Sequence, residues 1–215
     1  MKFLSIKKIM TIFIFLCLIC LLSGCDEPTT EEPGIIYEEF IQYTDLKEEY
    51  YEIFLIANNY NEIINLTNQE GRAFLLISKP NCPYCQTYTP MIAKYAYDNN
   101  FKIVYYNADK TKADYYKADY NTKTISVNIE NDYYKLANFL FENDTNVSIN
   151  GSDKELIKLR EVEFNNELPW IYVPRLIMFE NGIPMKSCFK TNIQETTEET
   201  YNNFVEQMNK NLKVN

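Results

Sequence analysis

Apolar residues recur along the chain in runs typical of buried strands and at spacings typical of helices. Arg72–Ser78 (RAFLLIS) is almost continuously apolar after its first residue, as a strand buried on both faces should be. Lys102–Asn107 (KIVYYN) predicts a second such strand and Tyr50–Ala57 (YYEIFLIA) an earlier one. Tyr60–Gln69 and Pro83–Tyr97 have the helical pattern. This alternation predicts a parallel sheet with crossover helices.

The C-terminal part has a different order. Pro174–Phe179 (PRLIMF) and Ile183–Phe189 predict two strands, and the Asn-Gly pair within Glu180–Gly182 predicts a hairpin between them. An antiparallel pair therefore closes the sheet. A capping box of Thr196 and Glu199 predicts the start of a last helix. The apolar residues at helical spacing in that helix are Tyr201, Phe204, Val205, Met208 and Leu212.

Residues 1–24 predict a secretory signal peptide. Three lysines precede the apolar run Ile9–Leu22, which is shorter than the roughly 20 residues of a spanning helix. The run ends in Leu22-Ser23-Gly24-Cys25, which resembles the lipobox of bacterial lipoproteins. That resemblance implies a lipid on Cys25 and a protein tethered to the extracytoplasmic face of the bacterial cell membrane.

Composition predicts one domain behind a tether. The 215 residues, 46% of them hydrophobic, suffice for one ordinary core. Residues 25–43 begin acidic and contain two prolines, so we expect a tether there and a domain at 44–215. Within that domain, about 110–170 is an insertion that the alternation does not explain.

The insertion is rich in aromatic residues, which could form a satellite core or a substrate groove. Asp132–Glu142 and Asp153–Val162 could each form a helix, so we expect a largely helical insertion. Trp170, near its end, could line a site at Pro174.

The charge argues against nucleic acid as a partner. The formal net charge is −9, and without the three lysines of the signal 18 basic residues oppose 30 acidic ones, about −12. A basic stripe that could meet phosphates is missing. Since the sequence beside Cys25 is also not polybasic, the lipid alone would hold the protein at the membrane.

The stretch NCPYCQTYTP places Cys82 and Cys85 three positions apart at the start of a predicted helix. There the first sulfur faces unpaired N–H groups and the positive end of the helix dipole, which favour its thiolate. The second sulfur lies one turn further in, within reach to displace a mixed disulfide. Pro83 suits the first helical turn, where its missing N–H is not needed.

Two other interpretations of the pair stay open. A zinc site needs four ligands, but the chain has no histidine, and Cys188 is the one other cysteine left beyond the signal and the lipid site. A structural disulfide would close only a tiny loop and stabilise little. Cys188 itself could be a buried apolar residue or a reactive thiol.

The order strand, CPYC, helix, strand, VP, strand, NG, strand, helix resembles the thioredoxin superfamily. Pro90 stands five residues after Cys85, where thioredoxins carry a proline, and Val173-Pro174 matches their cis-proline dipeptide. The resemblance covers about half of the chain and implies an α/β thioredoxin-like fold, a mixed sheet flanked by helices. It also implies that Val173 and Pro174 bind an extended substrate segment beside the sulfurs, with Pro83 and Tyr84 as further substrate-binding residues.

The sequence departs from the family at several positions. Leu76 occupies the place of a buried carboxylate that serves the second cysteine, and Tyr105 that of a nearby lysine. Arg175 follows the cis-proline where a threonine is common. It could be a surface charge, or it could favour the Cys82 thiolate or bind acidic substrate.

We therefore predict a membrane-anchored thiol–disulfide oxidoreductase of unknown direction. Cys82 would exchange with protein thiols or disulfides, and Cys85 would resolve the mixed disulfide. The redox-active Cys82–Cys85 pair would need no metal or other cofactor, and a membrane redox partner would reset it. The alternative is a non-catalytic lipoprotein of the same fold that binds a peptide or an envelope component, as the missing acid and the insertion suggest.

Overall fold

The computed structural model describes residues 38–112, 114–119, 121–122, 124–143, 157–161, 167–188 and 197–212. The predicted signal peptide, Cys25 and the first part of the predicted tether lie outside these residues. Throughout the described ranges, each helix is too short or too polar to cross a membrane.

Five helices and nine strands are described, preceded by a 3-10 helix. The helices are α1 (Tyr60–Thr67), α2 (Pro83–Asp98), α3 (Asp109–Lys112), α4 (Asp132–Glu142) and α5 (Glu198–Leu212), and the 3-10 helix is Glu48–Ile53. The strands are β1 (Phe54–Ala57), β2 (Arg72–Ser78), β3 (Ile103–Asn107), β4 (Tyr116–Asp119), β5 (Thr124–Val127), β6 (Ile157–Glu161), β7 (Glu167–Ile171), β8 (Arg175–Glu180) and β9 (Ile183–Ser187).

The central sheet is mixed, with the strand order β1-β3-β2-β8-β9. Strands β1, β3 and β2 are parallel, and β8 and β9 are antiparallel to their neighbours. Leu76 of β2 pairs with Tyr105 on one side and with Leu176 on the other. A mixed sheet with helices on both faces confirms the predicted α/β thioredoxin-like fold.

The two faces of this sheet bury separate parts of the core. One cluster joins Leu76 and Leu176 to α2, α5 and both site cysteines. The other joins the alternate positions of the same strands to α1 and α4. This alternation follows from the period-two geometry of strands, because successive side chains of β2 point to opposite faces.

The predicted domain boundary at residue 44 is wrong. Phe40 and Tyr43 are buried, at 0% and 1% exposure, within the cluster that holds the cysteines. The Phe40 ring stacks on Phe54 with centroids 4.5 Å apart. Acidic composition made this stretch resemble a tether, but its aromatic residues bury enough apolar surface to order it.

The predicted strand at Tyr50–Ala57 begins four residues later than expected. A 3-10 helix precedes it, because Tyr50 and Ile53, three apart, both turn to the core in that geometry. The described residues of the insertion are not largely helical either. Ile157–Glu161, predicted as part of a helix, is strand β6 and pairs antiparallel with β7. Its sequence IKLRE alternates apolar and polar residues, which suits a strand.

The hairpin turn is present as predicted, and the cap of the last helix is shifted by one residue. Asn181 and Gly182 both have positive φ, 52° and 80°, so β8 and β9 form the expected tight hairpin. The cap of α5 lies one residue later than predicted. The Oγ1 of Thr197 accepts from the Thr200 N–H at 3.2 Å, and the Oγ1 of Thr200 accepts from the Thr197 N–H at 2.7 Å.

Candidate thiol site

Cys82 lies where β2 passes into α2. Its backbone is extended, with φ −103° and ψ 123°, and Pro83 follows as the first helical residue. The Cys82 carbonyl accepts the first helical hydrogen bond from the Gln86 N–H at 3.0 Å. Cys82 is therefore the N-cap residue of α2, the position at which unpaired N–H groups surround a side chain.

The Gln86 side chain fixes the loop in front of this helix. Its Nε2 donates to the Pro80 carbonyl at 2.6 Å and to the Gln42 carbonyl at 2.8 Å. Its Oε1 accepts from the Thr44 N–H at 3.0 Å. One side chain thus links the helix, the loop before Cys82 and the N-terminal segment.

The Cys82 sulfur has a thiol pKa lowered to about 6. The main cause is a hydrogen bond from the Cys85 thiol, and the backbone N–H groups of Cys85 and Tyr84 and the charge of Lys79 add to it. Burial raises the pKa, but its effect is smaller than that of these hydrogen bonds and the Lys79 charge together. In its protonated form the Cys82 thiol lies 3.7 Å from the Val173 carbonyl, to which it donates.

The Cys85 sulfur, in contrast, is held as a protonated thiol. Burial raises the pKa of this thiol far above its ordinary value, and the adjacent Cys82 raises it further. Hydrogen bonds from the Ser78 hydroxyl and the Lys79 N–H act in the other direction. Cys82 keeps a 9% exposed fraction and Cys85 none, so an incoming molecule would reach Cys82 first.

Lys79 connects the site to the following strand and helix. Its Nζ lies 3.2 Å from Oδ1 of Asp109, at the start of α3. The Lys79 side chain is 27% exposed and the Asp109 side chain 37%. Solvent therefore screens this ion pair partly, and with it the effect of Lys79 on the Cys82 thiolate.

The loop opposite Cys82 contains the expected substrate-binding residues. The peptide bond between Val173 and Pro174 is cis, and Pro174 is buried. The preceding strand is fixed by helix α4, because the Ile171 N–H donates to the Tyr133 hydroxyl at 2.9 Å. Tyr133 is fully buried, so part of the aromatic insertion forms core and supports this loop.

The structure brings together the six predicted site residues of the thioredoxin motif: Cys82, Pro83, Tyr84 and Cys85 at the start of α2, and Val173 and Pro174 in the loop opposite. Pro174 follows Val173. Pro83 and Tyr84 are exposed beside the Cys82 sulfur. Cys25 lies outside the described residues, as does the placement of the Trp170 side chain.

Arg175 and Cys188 lie in the core. Arg175 is 6% exposed, so it is not a surface charge, and its register opposite Ile77 puts it on the sheet face away from the cysteines. Cys188 is fully buried. Among the described residues, no group of three or more His, Cys, Asp or Glu is placed to hold a metal ion.

A buried group of hydroxyls behind Cys85 was not predicted. This hydroxyl cluster consists of Tyr43, Ser78, Thr89 and Tyr105. Tyr43 donates to the Ser78 Oγ at 3.0 Å, the Tyr43 and Tyr105 oxygens are 2.9 Å apart, and so are those of Ser78 and Thr89. Ser78 at the end of an apolar strand was the one sequence signal for it. Tyr43 was not recognised because it lies in the segment predicted to be a tether.

Comparison with known proteins gives likenesses among solved structures alone. No family model and no curated protein matches the sequence. A candidate oxidoreductase with a thioredoxin fold is similar at 10% identity and a TM-score of 0.38, covering 66% of this chain and 85% of that one. A mutant thioredoxin from Halobacterium salinarum NRC-1 is similar at 11% identity and a TM-score of 0.38, covering 74% and 89%. The fold class rests on the strand order described above.

Proposed function

We propose that this chain is a thiol–disulfide oxidoreductase that exchanges disulfides with proteins through Cys82 and Cys85. The observation that carries the proposal is the contrast between the two sulfurs at one helix end. The Cys82 pKa of about 6 makes it a thiolate at neutral pH, whereas buried Cys85 stays protonated. A thiolate is the nucleophile in exchange, so the first step falls to Cys82.

The exchange takes two balanced steps. The Cys82 thiolate attacks one sulfur of a substrate disulfide, forms a mixed disulfide, and expels the other substrate sulfur, which takes up a proton. Cys85 then attacks the Cys82 sulfur, the bond to the substrate breaks, and the proton of Cys85 passes to the departing sulfur. Substrate is reduced and the Cys82–Cys85 pair is oxidised, and the reverse sequence oxidises a dithiol.

Val173 and Pro174 would form the substrate-binding loop. The Val173 carbonyl lies 3.7 Å from the Cys82 sulfur, so a peptide strand beside that loop would present its own sulfur at the reacting atom. Pro83 and exposed Tyr84 would contact the same segment from the helix side. Protein thiols and disulfides are the proposed partners, without a metal or other cofactor.

The place of action is proposed from the sequence. A lipid on Cys25 would hold the domain at the extracytoplasmic face of the cell membrane, where a membrane redox partner would reset the pair. A labelled fatty acid fed to cells should be incorporated into the parent chain, and Cys25→Ala should abolish that incorporation. Equal labelling of the parent chain and the Cys25→Ala variant, or no labelling of the parent chain, would refute the lipid anchor.

The test of activity is turnover of a protein disulfide such as that of insulin. Cys82→Ser should abolish reduction, and Cys85→Ser should accumulate a mixed disulfide visible on non-reducing gels. Cys188→Ser, which changes the buried third thiol, is the matched control and should keep activity. Full turnover by the Cys82→Ser protein would refute the proposal.

One observation favours the non-catalytic alternative. The carboxylate position of the family is Leu76, which is fully buried in the apolar cluster. A pair that serves only structure should have a reduction potential below about −300 mV, whereas thioredoxin-like redox pairs lie between roughly −270 and −120 mV. Equilibration with glutathione or dithiothreitol distinguishes the two.

A further inference from the structure

If the proposed function holds, the resolving step needs a group that stabilises negative charge on the Cys85 sulfur. Cys85 must gain negative charge as it attacks, yet it is fully buried and has no carboxylate at Leu76 to assist it. We propose that the hydroxyl cluster takes the place of that carboxylate, with Ser78 donating a hydrogen bond to the Cys85 sulfur and Tyr43 positioning Ser78.

The bonds within the cluster give it a direction. A hydroxyl has one proton to donate and two lone pairs that accept. The Ser78 oxygen accepts from Tyr43 at 3.0 Å, and Thr89, 2.9 Å away, is placed to supply a second donor. With its lone pairs engaged, Ser78 has its own proton free to donate toward Cys85, which lies one helical turn before Thr89 in α2 and whose thiol pKa the Ser78 hydroxyl lowers.

Tyr105 extends the chain of donors. Since Tyr43 gives its proton to Ser78, the Tyr105 hydroxyl at 2.9 Å is left to donate to the Tyr43 oxygen. All four side chains of the cluster are at most 1% exposed. Away from water, successive hydrogen bonds strengthen one another. The chain from Tyr105 through Tyr43 to Ser78 therefore makes Ser78 a stronger hydrogen-bond donor to the Cys85 sulfur.

The buried carboxylate of Glu39 does not take this role. Its charge reaches Tyr105, and the residue is only 9% exposed. However, its Oε1 accepts from Asn107 Nδ2 at 2.6 Å and its Oε2 pairs with Lys110 Nζ at 3.3 Å. The cluster therefore stabilises a thiolate by donation and is not a base that removes the proton.

The step assigned to the cluster is the second exchange. The Cys85 sulfur forms a bond to the Cys82 sulfur, the bond from Cys82 to the substrate sulfur breaks, and that sulfur leaves with the electron pair. The proton of Cys85 ends on the departing sulfur, which is reduced while Cys85 is oxidised. The hydroxyls keep their own protons and lower the energy of the charge that passes through the Cys85 sulfur.

The experiment separates the two steps with the aromatic disulfide DTNB. The full chain is purified in detergent with Cys17, Cys20, Cys25 and Cys188 changed to alanine, which leaves Cys82 and Cys85 as its thiols. Less than one equivalent of DTNB is mixed rapidly with the reduced protein. Attack by Cys82 releases one thionitrobenzoate, and attack by Cys85 releases the second.

Loss of the cluster should slow the second release alone. Ser78→Ala removes a hydrogen bond to a developing charge, so we expect a loss of roughly tenfold or more, and Tyr43→Phe a loss of about threefold to tenfold. Both variants should shift the pH profile of the second release upward. Ser78→Thr should restore the rate because it keeps the hydroxyl.

Tyr95→Phe is the matched control. This tyrosine is buried in the apolar core cluster that holds both cysteines, but its hydroxyl donates to Asn209 at 2.6 Å, away from Ser78. Its second release should equal that of the parent chain. An unchanged second release in both Ser78→Ala and Tyr43→Phe would overturn the inference. Absence of the first release from the parent chain would instead overturn the proposed function on which the inference rests.

Discussion

The hydroxyl of Tyr43 donates a 3.0 Å hydrogen bond to the Oγ of Ser78, two residues that are 35 positions apart in sequence. Tyr43 comes from the segment before the first strand, and Ser78 ends the strand that leads to Cys82. The N-terminal segment is therefore part of the site, since it delivers a polar group to the buried side of the cysteine pair.

The N-terminal segment should contribute strongly to stability. Phe40 is fully buried and packs on the rings of Phe54 and Tyr105, so Phe40→Ala should lower the free energy of unfolding by about 3–5 kcal/mol. Ile41 is 66% exposed, and Ile41→Ala is the control, expected to change stability by less than about 0.5 kcal/mol. Urea unfolding measures both. Equal, small effects would mean that residues 38–43 are a tether after all.

The charge of Lys79 should tune Cys82. Lys79→Met should raise the Cys82 pKa and lower the fraction of thiolate at pH 6, because a nearby cation stabilises the ionised sulfur. Asp109→Asn should act in the opposite direction by releasing Lys79 from its 3.2 Å ion pair.

Alkylation rates as a function of pH measure both effects. Since Lys79 and Asp109 are partly exposed, both should shrink in about 1 M salt, where the screening length is about 3 Å. Thiolate titrations that coincide for Lys79→Met and the parent chain would remove Lys79 from the site's electrostatics.

The turn between β8 and β9 should tolerate only glycine at position 182. Gly182 has φ 80°, and a Cβ there would collide with the Asn68 side chain, so Gly182→Ala should cost more than the about 1–2 kcal/mol of left-handed backbone alone. Gly71 has a similar φ of 85° but open space around it, which makes Gly71→Ala the matched control.

The difference between the two glycine variants isolates the collision. Introducing Asn68→Ala should remove most of the excess cost of Gly182→Ala, as a double-mutant cycle in urea would measure. Equal costs at both glycines would mean that Asn68 moves aside freely.

The sequence predicts the strands, the hairpin and the helix start that position the cysteines better than it predicts the buried residues packed behind them. Continuous apolar runs such as Arg72–Ser78 and the Asn-Gly turn report local geometry, so the central strands and the hairpin could be placed. The position of Cys82 at a helix start follows in the same way from Pro83. These features depend on residues that are neighbours in the chain.

The missed features depend on tertiary contacts. Phe40 and Tyr43 lie among acidic residues, and only their packing against Phe54 and Ser78 shows that they are core. Strand β6 is too short and too charged to be distinguished from a helix without its partner β7. The hydroxyl cluster combines residues from four segments, the N-terminal segment, β2, α2 and β3, so composition and spacing do not reveal it.

The pH dependence of Cys82 alkylation in the folded protein, followed peptide by peptide with mass spectrometry, reports directly whether Cys82 is the ionised nucleophile of the pair. We expect a rate midpoint near pH 6, with Cys85 unreactive over the same range. A Cys82 midpoint at the ordinary thiol value of about 8.5, or a Cys85 that reacts first, would contradict it.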